Sequence, residues 1–235
     1  PFASVAQFKD GELTIWVHSQ GVYPIRGAIA PILGLQEGDI RVIQTEGSGC
    51  YGHNGADDAA LDAALLAKKF AGRAVSVKWM RADELNWEPY GPAMVMKLCA
   101  SLGAAGEVLD WNHDVWSYPH LGRPSAGGRQ SGLLAAWHLA EPWDKVQRRP
   151  IHAPHIGSHR NADPLYDFSH KRIVKHFVPD SPLRVSAMRG LGAYGNVFAI
   201  ESFIDELAHA AGIDPIEFRL RNLRDARARA VIQAA

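Results

Sequence analysis

The residues with the clearest chemical content are Gly47, Gly49 and Gly52, with Ser48, Cys50 and Tyr51 between them and His53, Asp57 and Asp58 just beyond. Glycine lets the main chain turn sharply and come close to a ligand, because no Cβ stands in the way. The stretch separates a β-branched run at 40–45 from an alanine-rich helical run at 56–70. Strand, glycine loop, helix is an arrangement that ends on free N–H groups and the positive end of a helix dipole, which attract an anion, usually a phosphate. The first expectation is therefore a phosphate-bearing ligand held by backbone amides. The spacing of Gly47, Gly49 and Gly52 also fits the G-x-G-x-x-G fingerprint of a nicotinamide or flavin dinucleotide site. The same residues could form a tight turn that holds nothing.

A second glycine-rich turn, at 188–196, contains Arg189, Gly190, Leu191 and Gly192. Val197, Ile200, Ile204, Leu207, Ala208 and Ala211 follow it at helical spacing. His152, His155 and His159 invite a metal reading, but Pro154 argues against a helix presenting them together, so a solvated loop is expected. The two cysteines, Cys50 and Cys99, sit in unrelated contexts and read as free thiols.

The chain that positions these residues has 235 of them, enough to bury a real core in one large domain or two small ones. Hydrophobic residues make up 47% and charged residues 21%, ordinary for a globular protein. Lys plus Arg and Asp plus Glu number 25 each, which argues against non-specific binding to nucleic acid or to an acidic membrane. No apolar run reaches the roughly 18 residues that a membrane-spanning helix needs. Both ends read as interior sequence, so a fragment of a longer protein is expected and the compartment is not legible.

Asp10-Gly11 between apolar runs at 2–8 and 13–18 predicts a hairpin. Residues 22–33 read as a helix despite Pro24 and Pro31, and 39–45 as a strand. Asn54 is the expected N-cap of the next helix, with Asp57 and Asp58 favouring its dipole and Ala59, Ala63, Leu66, Ala67 and Phe70 sharing one face. Strands are expected at 74–80, 93–101, 108–118, 171–178 and 183–187, the second and third as a hairpin. Residues 131–139 could be strand or helix, while 125–130 and 141–163 read as long loops. Asp214-Pro215 opens a helix with proline at its first position. Hairpins dominate the middle of the chain, unlike the alternating rhythm of a dinucleotide-binding domain, although Asp83 or Glu84 could supply that site's acid.

Four motifs in order resemble the molybdopterin-binding subunit of the xanthine oxidase family, the molybdenum hydroxylases. Ser48-Gly49-Cys50-Tyr51-Gly52 is similar to the family's Gly-Gly-Gly-Phe-Gly loop, and Ser19-Gln20 to its upstream Thr-Gln pair. Arg189-Gly190-Leu191-Gly192, then Glu201-Ser202-Phe203-Ile204-Asp205-Glu206-Leu207-Ala208, resemble its Arg-Gly-x-Gly turn and following helix. Asp214-Pro215-Ile216-Glu217-Phe218-Arg219-Leu220-Arg221-Asn222 resembles its Asp-Pro-x-Glu-Phe-Arg-x-x-Asn segment. The stretch from Cys50 to Asp58 resembles the isoquinoline 1-oxidoreductase β-subunit and nicotinate dehydrogenase group and departs from the xanthine and aldehyde branches. Ser48, Cys50, Asn54 and Gly55 depart from the xanthine pattern and argue against a purine substrate.

The resemblance implies an α+β fold of two-layer units, mixed β-sheets with helices on one face, with a possible division into 1–125 and 126–235, each carrying one cofactor-binding unit. It implies a molybdenum–molybdopterin cofactor, in its cytosine dinucleotide form, in which the pterin dithiolene and not the protein ligates the metal. Gln20, Gly49, Cys50, Tyr51, Gly52, Arg189 and Gly190 would be the cofactor-binding residues. It further implies a small [2Fe–2S] partner subunit and an N-heterocycle or aldehyde as substrate. The family's catalytic glutamate lies in a Gly-Glu segment beyond the last matched motif, so no catalytic residue is expected in these 235 residues and no turnover by them alone. Each site residue also has a plain alternative: Gln20 as a strand-end cap, Tyr51 as a packing aromatic, Arg189 paired with Asp205 or Glu206. The chemistry of Cys50 and His53 stays open. A NAD(P)- or FAD-binding oxidoreductase using Gly47–Gly52, or a non-catalytic assembly module, are the other readings.

Overall fold

A computed structural model describes residues 2–49, 51–53, 56–120, 124 and 128–235. Cys50 and Asn54 lie outside the described residues, and with them the expected cofactor contact of Cys50 and the expected N-cap. In chain order the elements are β1 (Ala3–Lys9), β2 (Glu12–Val17), α1 (Val22–Leu33), β3 (Ile40–Gln44), α2 (Ala56–Lys69), β4 (Ala74–Lys78) and α3 (Arg81–Trp87). There follow β5 (Met94–Leu102), β6 (Val108–Ser117), two short strands β7 (Gln130–Ser131) and β8 (Asp144–Lys145), and β9 (His170–Phe177). Three helices close the chain: α4 (Ala193–Ala211), α5 (Pro215–Arg221) and α6 (Ala226–Ala234). The architecture is α+β, and no described helix is long and apolar enough to cross a membrane. The elements gather into two compact units, one from residues 1–91, 121–148 and 182–189, the other from 92–120, 149–181 and 190–235. Neither unit is a continuous half of the chain.

The first unit is built on a four-stranded sheet of order β3-β2-β1-β4. β1 pairs antiparallel with β2 and β4, and β2 pairs parallel with β3. Asp10 and Gly11 turn the hairpin with φ of 52° and 89°, the left-handed pair that the right-handed strand twist favours. A parallel β2–β3 pair cannot be closed by a tight turn, and α1 supplies the crossover. Pro24 sits in the first turn of α1, where its missing N–H has no helical partner to lose. One sheet face, with Ala6, Leu13, Ile15 and Val17, packs against Ile25 and Ile29 of α1 and the alanines of α2. Small residues let α2 lie close to the strands. Leu66 and Phe70, expected on that face, are exposed instead. Leu66 falls at the edge of the stripe set by Ala56, Ala60, Ala63 and Ala67, and Phe70 lies past the end of the helix. Residues 81–87, to which no element was assigned above, are helical, capped by the Asp83 carboxylate, which accepts from the Met80 N–H at 2.8 Å. One other expectation is corrected. Residues 183–187 are not a strand: a single bridge between Val185 and Tyr90 is their only ladder contact among the described residues, because the neighbouring main-chain groups bond to loops.

The second unit holds the sheet β5-β6-β9, with β5–β6 the expected antiparallel hairpin and β9 parallel to β6. α4 packs Ile200, Ile204 and Leu207 into a core with Trp111, whose ring lies 5.0 Å from that of Phe168 and 5.4 Å from that of Phe203. Gly192 enters α4 so close to the Ser158 carbonyl that a Cβ would overlap it. Asn196 fixes the same loop, donating from Nδ2 to the carbonyls of Ser158 at 2.8 Å and Arg160 at 3.0 Å. Asp214 caps α5 as the sequence predicts, accepting from the N–H groups of Ile216 at 2.9 Å and Glu217 at 3.0 Å. Asp214→Ala is expected to lower stability by about 1 kcal/mol. The measurement is the urea midpoint, and an unchanged midpoint would mean that the cap contributes nothing here.

Candidate functional site

The glycine loop and the Arg189 turn meet main chain to main chain. Arg189 N–H donates to the Tyr51 carbonyl at 2.6 Å, and His53 N–H donates to the Ala187 carbonyl at 2.7 Å. These two bonds flank an antiparallel bridge between Gly52 and Met188. Gly52 has φ of +131°, and a Cβ at this position would run into the Ala187 carbonyl and Met188 Cα. Only glycine allows the two loops to come this close. The joint leaves the side chains of Tyr51 and Arg189 exposed. Asp205, offered above as a partner for Arg189, is paired with Arg219 at 2.7 Å.

A chain of buried polar groups runs beneath the joint. Ser19 Oγ accepts from the Gly21 N–H at 3.0 Å and donates to Asp57 Oδ1 at 2.6 Å, so its hydroxyl clasps the backbone around Gln20. Asp57 Oδ2 lies 3.1 Å from His53 Nε2, and His53 Nδ1 is hydrogen-bonded to Ser186 Oγ at 2.9 Å. Ser19, His53, Asp57 and Ser186 are each at most 3% exposed. Serine, histidine and aspartate together can form a nucleophile and its base. Here Ser186 is sealed from solvent, so a substrate has no path to its hydroxyl, and the arrangement is an anchor.

Asp58, the neighbour of Asp57, is also fully buried and bound to a distant partner. Arg184 grips it with two bonds, Nη1 to Oδ2 at 2.8 Å and Nη2 to Oδ1 at 2.9 Å. The Leu134 N–H adds a third bond to Oδ1 at 2.8 Å. Arg184 also donates to the carbonyls of Trp87 at 3.0 Å and Gly132 at 3.1 Å. The two aspartates thus do more than favour the dipole of α2: they tether the segment that carries Arg189.

Gln20 borders an open cleft of about 570 Å³, lined also by His18, Gln44, Thr45, Glu46, Gly47 and Ser48. His18 Nε2 is buried without a hydrogen-bond partner among the described residues. Burial pushes the His18 pKa below the usual histidine value. A neutral imidazole nitrogen, two amides and two hydroxyls offer donors and acceptors to a polar group, while Glu46 disfavours a phosphate beside it. The cleft and the glycine-cradled joint fit a cofactor held by hydrogen bonds and main-chain contact. Among the described residues no three His, Cys, Asp or Glu side chains are grouped as a metal-ligand set. His152 and His155 are exposed in a loop, and His159, in the short 3-10 helix Gly157–His159, bonds to the Ala153 carbonyl at 2.9 Å.

Gln20, Gly49, Tyr51, Gly52 and Arg189 all fall in the first unit, and Gly190 follows directly. Sequence reasoning missed Arg184 and Ser186, gave Ser19 only as part of a motif and Asp57 and Asp58 only a part in the helix dipole, and left His53 open. The spacing of His53 and Asp57, four residues apart, was the one available signal. The dinucleotide reading of Gly47–Gly52 finds no support in the topology. β3 and β4, on either side of the loop and α2, lie at opposite edges of the sheet with two strands between them.

The chain is similar to known proteins along most of its length. The family profile described as the molybdopterin cofactor-binding domain matches residues 1–119 and 152–223. A nicotinate dehydrogenase subunit of Pseudomonas putida is 36% identical over all 235 residues, which are 18% of its length. The molybdenum-binding subunit of an aldehyde oxidoreductase from Escherichia coli is 29% identical over 226 residues, 94% of this chain and 26% of that one. The solved aldehyde oxidoreductase of Desulfovibrio gigas has the same fold, with a TM-score of 0.69 over 96% of this chain and 22% of its own, at 20% identity. The chain therefore spans about a fifth to a quarter of the relatives it matches. Because the profile covers most of both compact units, the chain belongs to the molybdopterin cofactor-binding domain family.

Proposed function

We propose that this chain is the cofactor-binding segment of a molybdenum hydroxylase large subunit. The whole protein would oxidise an N-heterocycle or an aldehyde with oxygen from water, and pass the electrons to a small [2Fe–2S] subunit. The observation that carries the reading is the main-chain joint of Tyr51–Gly52 with Arg189, in the same unit as the cleft of Gln20. The relatives named for nicotinate and aldehyde oxidation support the substrate class. The cofactor, in its cytosine dinucleotide form, would supply the two-electron oxidation when bound.

The residues of this chain bind and orient. Gln20 presents a side-chain amide from the rim of the cleft. Gly49, Cys50, Tyr51 and Gly52 would offer main-chain groups along one edge of the cofactor, and Arg189 and Gly190 along another. Residues 1–125 contribute the first of these loops and residues 126–235 the second. The reaction base would lie beyond the motifs matched here, as the family resemblance implies.

The test is the full-length protein purified with its partner subunits from cells supplied with molybdate. Stoichiometric molybdenum and pterin are expected. Gln20→Leu should lower activity roughly 10–100-fold at unchanged molybdenum content, as loss of a group that orients a centre does. A full-length protein that takes up no molybdenum would overturn the proposal.

A further inference from the structure

We infer that His53 is a positioning residue that holds the three segments bearing Gln20, Tyr51–Gly52 and Arg189 in one register. What those segments hold rests on the reading above; the positioning does not. Gln20 follows Ser19, Gly52 precedes His53, and Arg189 lies three residues beyond Ser186. Ser19, His53 and Ser186 are joined in one buried chain, with Asp57 as the fourth member. His53 makes two contacts within that chain and one beside it. Its Nδ1 is hydrogen-bonded to Ser186 Oγ, its Nε2 lies 3.1 Å from Asp57 Oδ2 on the other side of the ring, and its main-chain N–H holds the Ala187 carbonyl.

Imidazole suits this place for a physical reason. A rigid ring with a nitrogen at each side fixes the separation of two partners, whereas an asparagine or glutamine amide, which can also bond two partners, places its oxygen and nitrogen at a different separation and angle on a more flexible stem. Each partner lies on a different stretch of chain: Asp57 at the start of α2, Ser186 before the Arg189 turn. A change at His53 therefore lets the two loops shift against each other, although neither loop has lost a residue. A residue that served packing alone would show none of this selectivity.

The experiment uses the full-length protein with its partner subunits. Amide hydrogen exchange is followed before and after cofactor loading, and the electron paramagnetic resonance signal is compared per bound molybdenum. In His53→Ala, exchange in peptides covering 47–53 and 184–191 is expected to speed up roughly tenfold while α4 and the β1–β2 hairpin keep the wild-type rate. The signal should change shape, and turnover per bound molybdenum should fall roughly 10–100-fold. His53→Gln, which retains reach toward Asp57, keeps the test alive if the alanine variant does not fold; it should give the same pattern in smaller measure. Wild-type exchange in both peptides in either variant would sink the inference. So would faster exchange spread evenly over the chain with an unchanged signal, the mark of a packing role. If the wild type binds no molybdenum, the proposed function fails while the exchange pattern still decides the positioning.

Discussion

Asp58→Ala is expected to destabilise the protein by about 3–5 kcal/mol, because it leaves the guanidinium of Arg184 without its charge partner in a largely buried site. The carboxylate accepts three bonds, two from Arg184 and one from the Leu134 N–H, and has no exposure to water. In the variant the Leu134 N–H loses its acceptor, and Arg184 keeps its bonds to the carbonyls of Trp87 and Gly132. Arg184 is 16% exposed, so water reaches its edge but does not replace a two-pronged carboxylate. The companion variant separates the charge from the cavity. Replacing both partners, as in Asp58→Leu with Arg184→Met, removes the uncompensated cation and should recover a large part of the loss, since buried pairs often exchange for apolar residues at little net cost. Urea denaturation of the single and double variants measures both quantities. A loss under about 1 kcal/mol in Asp58→Ala would show that the pair contributes no more than one on the surface. The consequence reaches the site: the segment that carries Arg189 is held to α2 through this pair, so a weakened pair should also loosen the loop joint.

The sequence made local structure legible wherever one residue type has one job. Asp10-Gly11 announced a hairpin, and Asp214-Pro215 announced a capped helix start, because φ and capping are decided within a few residues. It failed where the deciding partner is far away. Nothing near residues 183–187 says that their main-chain groups would be taken by loops instead of a strand, or that Arg184 would meet Asp58 across 126 positions. Arg81–Trp87 lacked a helical apolar rhythm, and its cap is a carboxylate three residues in. The site was legible in a different sense. That the two glycine loops belong together came from the order of motifs shared with a family, while the reason they can touch, a left-handed Gly52 against the backbone of Ala187 and Met188, exists only in three dimensions. His53 and Asp57 sat one helical turn apart in plain view, yet the spacing alone does not reveal Ser19 and Ser186 at the two ends of the pair.

Gly52→Ala should part the two loops, and a second glycine makes the claim measurable. Gly11 has φ of +89° with nothing within 4 Å of the place a Cβ would occupy. Gly11→Ala therefore reports the conformational penalty of a left-handed residue alone, about 1–2 kcal/mol. Gly52 has φ of +131°, a region harsher for an L-residue, and its Cβ would overlap the Ala187 carbonyl and Met188 Cα. Both obstacles are backbone atoms, which cannot rotate away as the end of a side chain can. The expected loss is about 3 kcal/mol or more, the penalty of the backbone region plus that of separating the loops. The excess over Gly11→Ala measures how much the close approach contributes. Relief must come from movement of 186–189, which would break the Arg189 N–H bond to Tyr51 and the His53 N–H bond to Ala187. Amide exchange at His53 and Arg189 should then rise together in the variant and stay unchanged in Gly11→Ala. If the two alanine variants lose equal stability, and both amides remain protected in each, the loops do not depend on glycine to meet. The main-chain joint would then tolerate a side chain, and the cradle assigned to it would have no steric basis.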